Sequence, residues 1–121
     1  MYTLKTDPDR QRITIVSDQA LSPEEMQQMI GELKAEAPKL RPGWVAAVDF
    51  RGMWVSSPFV NEQFRLLQEA LLASGAGKIG TLLDSDPLKM RLWQSGTESR
   101  SNALTRRFHS VDDWEAFLSA S

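Results

Sequence analysis

The chain has 121 residues, of which 41% are apolar and 25% are charged, and it contains no cysteine. This length and balance predict one globular domain over residues 1–121, and the cysteine count excludes disulfide bonds, thiolate zinc sites and cysteine nucleophiles. The 14 basic and 16 acidic residues give a net charge of −2, which provides no general attraction to nucleic acid. No signal-peptide apolar region and no bilayer-length apolar run occur, so we expect a cytoplasmic protein without a transmembrane segment.

The first third of the chain predicts a β-hairpin followed by a helix. Residues 2–6 and 12–17 are short strand-like segments, and the Asp-Pro-Asp-Arg sequence at 7–10 is typical of a turn. Ser22 and Glu25 stand at the two positions of a capping box, with a proline between them in the first helical turn. Apolar residues then recur at helical spacing and predict the buried face: Met26, Met29, Ile30, Leu33 and Ala37.

The middle of the chain predicts two buried strands with a helix between them. Residues 44–50 form an almost continuous apolar run, as in strands that are covered on both faces, and Trp44 is assigned to the core. Ser57-Pro58 repeats the cap-plus-proline start of a helix. Its apolar face is Val60, Phe64, Leu67 and Leu71, and residues 78–83 then form the next strand.

The last third of the chain predicts two helices separated by a short strand. A helix starts within Asp84-Ser85-Asp86-Pro87, residues 97–105 are either loop or helical extension, and residues 106–109 form a strand. Ser110 caps a final helix that docks through Trp114, Phe117 and Leu118. The order β-β-α-β-α-β-α-β-α predicts an α/β domain with a mixed, mostly parallel five-stranded sheet and crossover helices, whose first strand is antiparallel.

Three segments of the chain resemble the SpoIIAA-like fold group, which includes STAS and CRAL-TRIO domains. They are the hairpin turn at 7–10, the Leu40-Arg41-Pro42-Gly43 lead into the strand that ends Val48-Asp49-Phe50-Arg51-Gly52, and the closing residues 108–118. In this pattern the chain looks like small bacterial STAS/SEC14-like proteins of unassigned function. The resemblance implies a regulatory module that acts by protein–protein association. The CRAL-TRIO side of the group implies capture of a lipid or other apolar small molecule.

Anti-sigma antagonists of this fold group carry an Asp-Ser pair before the second crossover helix, and a kinase phosphorylates the serine. Ser57 and Pro58 stand where that pair would fall, so the aspartate is missing and the serine is shifted back by one position. The resemblance therefore points to Ser56 or Ser57 as the corresponding position for modification.

Polar residues follow the ends of the predicted parallel strands, where α/β proteins usually bind ligands. One hypothesis is that Asp49 and Asp84 hold a hard cation such as Mg²⁺, assisted by Asp18 or Asp86. A second is that Arg51 and Ser56 or Ser57 bind an anion at the following helix start. A third joins Ser56 or Ser57 to His109 for hydrolysis. The alternative to all three is that these residues cap helices or lie on a solvated surface.

The connection after the third strand carries Met53, Trp54 and Val55 where no regular packing face requires apolar residues. Apolar side chains beside a binding crevice indicate a pocket or an interface, and the alternative is a loop folded onto its own domain. We therefore expect a non-catalytic module without a cofactor, either a homodimer or bound to a protein partner, acting through Asp49, Arg51, Met53, Trp54, Ser56 and Ser57. The alternatives are an apolar-ligand binding protein and, third, a metal-dependent or Ser/His hydrolase.

Overall fold

The computed structural model of the chain describes residues 2–17, 21–51, 58–83 and 105–120. Its strands are β1 (Tyr2–Asp7), β2 (Arg12–Ser17), β3 (Trp44–Asp49), β4 (Ala76–Leu82) and β5 (Thr105–Phe108). Its helices are α1 (Pro23–Glu36), α2 (Pro58–Ala73) and α3 (Val111–Ser119), and a short 3₁₀ turn (Ala37–Lys39) follows α1. The helix predicted to begin near residue 84 lies outside the described residues.

The five strands form one sheet in the order in which they occur in the chain, β1-β2-β3-β4-β5. Strand β1 is antiparallel to β2, whereas β2, β3, β4 and β5 are mutually parallel. The predicted α/β class and the mixed, mostly parallel sheet are confirmed. The four parallel strands share a carboxyl end and an amino end of the sheet, and the predicted site residues follow the carboxyl end.

The two faces of the sheet are covered by different helices. Helices α1 and α2 pack on one face, where their buried side chains meet Ile13, Ile15, Ala46, Val48 and Ile79. Helix α3 packs on the opposite face, which is called the α3 face below, through Trp114 and Leu118 against Ala47 and Leu82. Both tryptophans assigned to the core from sequence, Trp44 and Trp114, are buried.

Local capping signals fix where two of the helices begin. The Ser22 hydroxyl accepts a hydrogen bond from the Glu25 amide at 3.1 Å, and the Glu25 carboxylate accepts one from the Ser22 amide at 3.2 Å. This is the predicted capping box. Ser110 caps α3 by accepting a longer bond of 3.4 Å from the Asp113 amide. Short sequence motifs therefore predicted where these two helices begin.

Strand β4 begins at Ala76, two residues before the predicted start, because it forms an irregular pair with β3. The register shifts between Trp44 and Val45, whose partners are Ala76 and Lys78. Gly77 lies at this irregularity, and a Cβ atom built on it would stand 2.6 Å from the carbonyl oxygen of Gly43. A close approach of two backbones therefore requires glycine here.

Helix α3 is held to the sheet by one buried hydrogen bond and close apolar packing. The Trp114 indole N–H donates to the Gly80 carbonyl oxygen at 2.9 Å. A Cβ atom on Gly80 would lie 3.1 Å from both Leu118 and Phe117. Across the described parts of the chain, none of the helices has the length and apolar character needed to cross a membrane.

Candidate functional site

Predicted polar residues from two strand ends, those of β3 and β5, lie at the carboxyl end of the sheet. Asp49 ends β3, and His109 and Ser110 follow β5. Strand β4 lies between β3 and β5, so these groups are separated by the width of two strands rather than gathered into one cluster. Ser110 caps α3, as predicted from the sequence.

Asp49 and Arg51 form a two-pronged ion pair at this end of the sheet. The Arg51 guanidinium donates from Nε to Asp49 Oδ1 at 3.0 Å and from Nη2 to Oδ2 at 2.8 Å. The Arg51 backbone amide also donates to Oδ1, at 3.2 Å. These hydrogen bonds, together with the charge of Asp49, raise the pKa of the Arg51 guanidinium above its ordinary value. The pair fixes the arginine to the end of β3.

The pair occupies both oxygens of the carboxylate that the metal hypothesis requires. Asp49 is nearly buried, and each of its oxygens accepts a hydrogen bond from Arg51. With the Arg51 backbone amide counted, Arg51 engages three of the roughly four lone-pair sites of this carboxylate, which disfavours Asp49 as a metal ligand or general base. Among the described residues, no three His, Asp or Glu side chains are grouped to hold a metal ion. Asp18, Asp84 and Asp86 lie outside the described residues, so the predicted magnesium site stays a hypothesis.

The guanidinium of Arg51 is fixed and still accessible. Its side chain is 53% exposed. An arginine has five N–H donors, and two of them point to Asp49. The remaining donors belong to a cation whose orientation is already set. The Arg51 side chain therefore loses less conformational entropy when an anionic partner binds it. Arg51 therefore combines a set orientation with an accessible positive charge.

The other four predicted site residues, Met53, Trp54, Ser56 and Ser57, lie outside the described residues. Their position along the chain is nevertheless fixed by their neighbours, because Arg51 and the start of α2 at Pro58 stand on either side of them. The connection that carries them therefore runs from the residue after Arg51 to the residue before α2.

The outer surface of α2 carries features that the sequence reading did not single out. Leu66 and Leu72 are 40% and 36% exposed. Arg65 binds Glu62 through its Nε at 3.0 Å and Glu69 through its Nη1 at 2.6 Å, and hydrogen bonding to Arg65 lowers the pKa of Glu62. The i+3 and i+4 spacing of these charges was a readable signal of an exposed helix face.

The structure also bears on the apolar-ligand alternative, which requires space near Phe59, Phe64 and Leu67. Phe64 and Leu67 are buried in the core, and the Phe64 ring meets Phe50 edge-on with centroids 6.0 Å apart. The Phe59 side chain lies outside the described residues. A groove of about 220 Å³ lies towards the amino end of the sheet, lined by Lys34, Ala37, Pro38, Leu40, Pro42, Trp44 and Ser74.

A fold by itself does not specify a function, so the function of this chain depends on the residues that its fold brings together. The resemblance to SpoIIAA-like domains stays an expectation drawn from sequence. No protein-family model, curated protein or solved structure matches the chain.

Proposed function

We propose that the chain is a non-catalytic binding module that associates with a protein, either a second copy of itself or a different partner. The observation that carries this proposal is the Asp49–Arg51 pair, which holds a half-exposed guanidinium in a set orientation at the carboxyl end of the sheet. Arginine presented in this way suits a partner carboxylate, which it binds through parallel N–H donors.

The proposed surface extends from Arg51 into the 52–57 connection and along α2. Met53 and Trp54 supply the apolar and aromatic types that are enriched in interface cores, as is arginine. Leu66 and Leu72 add exposed apolar area on the helix that follows. Met53 and Trp54 follow closely after the charged Arg51 in the sequence, which supports association over capture of a free small molecule.

The same pair is the reason to favour binding over catalysis. A general base or a metal ligand needs a free lone pair, and three of the roughly four lone-pair sites of Asp49 already accept hydrogen bonds from Arg51. No cysteine is present, and the single histidine stands at residue 109. The proposal therefore needs no group to leave its present partner.

Native mass spectrometry of gently purified protein tests the proposal. We expect a complex of two copies or of the chain with another protein, and we expect Arg51→Ala and Trp54→Ala to weaken it without unfolding the domain. Arg10→Ala is the matched control, because Arg10 is also an exposed arginine paired with an aspartate, Asp7, but lies on the hairpin turn at the amino end.

Association that is unchanged in both variants would contradict the proposal. A bound small-molecule mass that leaves on denaturation, with the chain otherwise monomeric, would favour the apolar-ligand alternative. Equal circular dichroism spectra for the three variants would establish that differences in association do not arise from misfolding.

A further inference from the structure

A row of in-register residues crosses the α3 face at the amino end of the sheet, opposite the end that carries Arg51. Strand pairing places Asp7 beside Arg12, Arg12 beside Val45, and Val45 beside Lys78. Arg12 and Lys78 are thus two strands apart, about 10 Å between their backbones. Both reach residues of α3, so both side chains lie on the face that this helix covers.

Arg12 is a buried cation with incomplete partners. It is only 8% exposed. The nearest carboxylate oxygen in the described part of the chain, Glu115 Oε2, is 3.5 Å from its Nη1, well beyond the roughly 2.8 Å of a charge-assisted hydrogen bond. Its buried Nε has no hydrogen-bond partner among the described residues. In native proteins such an unsatisfied group commonly marks the place of a water molecule or an ion.

Lys78 adds a second positive charge to the same region. Its Nζ donates to the carbonyl oxygens of Phe117 and Ala120, at 2.5 and 2.6 Å, and lies 4.9 Å from the centroid of the Phe117 ring. An ammonium group has a third N–H donor. Desolvation and the positive charge of Arg12 both lower the pKa of Lys78, so the two cations act on each other.

The carboxylates described near this row do not fully compensate the two cations. Glu115 faces Arg12 only at the long distance given above. Asp7 is engaged by Arg10, through the backbone amide at 3.3 Å and through Nε at 3.7 Å. Val45, which lies between Arg12 and Lys78, is only partly buried although β3 is the central strand. Positive charge therefore flanks a position that protein atoms do not completely cover.

We propose that a small oxoanion, a phosphate or carboxylate group, binds over Val45 between Arg12 and Lys78. The Nη N–H groups of Arg12 would donate to one side of the anion, as a guanidinium fork does, and Lys78 would meet the other side as a point charge. In this arrangement the Glu115 carboxylate competes with the bound anion for the Arg12 guanidinium.

A titration of inorganic phosphate into the full chain at constant ionic strength tests this site, followed by backbone amide NMR shifts. We expect saturable shifts centred on residues 12, 45 and 78, and we expect Lys78→Met to weaken binding about tenfold because one charge of the pair is lost. Lys5→Met is the control, since Lys5 is an exposed lysine of β1 and its removal leaves the pair intact. Acetate run in parallel distinguishes a carboxylate site from one that requires phosphate.

Removal of the competing carboxylate gives a test that does not depend on truncating the buried arginine. We expect Glu115→Gln to tighten phosphate binding by about threefold to tenfold, because the like charge near the anion is gone. Glu69→Gln, which removes a glutamate paired with Arg65 on α2, should leave the affinity unchanged. Absence of saturable shifts with either anion, or Glu115→Gln binding no tighter than the parent, would overturn the proposal.

Discussion

Substitution of Gly77 by alanine is expected to destabilise the protein strongly, whereas Gly31→Ala is expected to stabilise it. A Cβ atom at position 77 would lie 2.6, 2.8 and 2.9 Å from the oxygen, Cα and carbonyl carbon of Gly43. All three are backbone atoms, so no side chain is able to rotate away. Gly31 lies within α1, and nothing stands within 4 Å of the corresponding position.

The expected change at Gly77 has two contributions, an atomic overlap and a strained hydrogen bond. Moving the Gly43 turn relieves an overlap of the kind that costs roughly 1–3 kcal/mol. The same movement strains the 2.8 Å hydrogen bond from the Gly43 amide to the Gly75 carbonyl, worth about 1 kcal/mol. The free energy of unfolding should therefore fall by about 2–4 kcal/mol. Alanine at Gly31 should raise it by roughly 0.5–1 kcal/mol through helix propensity and a less disordered unfolded chain.

Urea unfolding followed by tryptophan fluorescence measures both changes in one experiment. Trp44 is well placed as a reporter, because it is buried and its indole N–H donates to Ser74, the residue before Gly75, at 3.3 Å. A Gly77→Ala protein within 0.5 kcal/mol of the parent (a margin near the scatter expected for neutral surface changes) would refute the close-approach argument. A loss of stability in Gly31→Ala would refute the open space assigned to that position.

Two further changes test the capping box and the partly buried Tyr2. Ser22→Ala should cost about 1 kcal/mol, because it removes the 3.1 Å hydrogen bond from the Glu25 amide; an unchanged urea midpoint would contradict this role. Desolvation and the nearby Glu32 raise the pKa of Tyr2 to about 12 from 10.0, so the folded state disfavours the phenolate. That contribution to stability is complete below pH 10 and is lost as the pH rises towards 12. Tyr2→Phe should therefore lose less stability than the parent between pH 9 and about 11.5, and parallel urea midpoints for the two proteins would count against it.

The secondary structure was predictable where the signals were local. The Ser22–Glu25 box and the apolar period of α1 are contained within 16 residues, and both appear as expected. The start of β4 was predicted two residues late because its reason is tertiary, since Gly77 passes against Gly43 across the β3–β4 pair. No local pattern of residues 76–78 reports a neighbour 34 positions earlier in the chain.

The candidate sites show the same division between local and distant causes. Asp49 and Arg51 were predictable as site residues because they stand at the end of one strand. Their mutual pairing was not predictable, because it depends on the path of the chain after β3. The Arg12–Val45–Lys78 row escaped it entirely, because that row exists only once the registers of three strands are known. Residues that are unremarkable in their own segments become neighbours through the sheet.

Arg51 and Arg12, at opposite ends of the sheet, differ in burial and in how completely their guanidinium groups are paired. This difference is the reason that a bound anion is inferred at Arg12 and not at Arg51. Arg51 is half exposed and has bonds of 3.0 and 2.8 Å to both oxygens of one carboxylate. Arg12 is buried, and its one carboxylate contact within the described parts of the chain is at 3.5 Å. Since desolvation makes an incompletely paired charge costly, the greater need for a partner lies at Arg12. A satisfied and exposed arginine suits transient recognition of another protein, whereas a buried and under-satisfied one suits a resident anion.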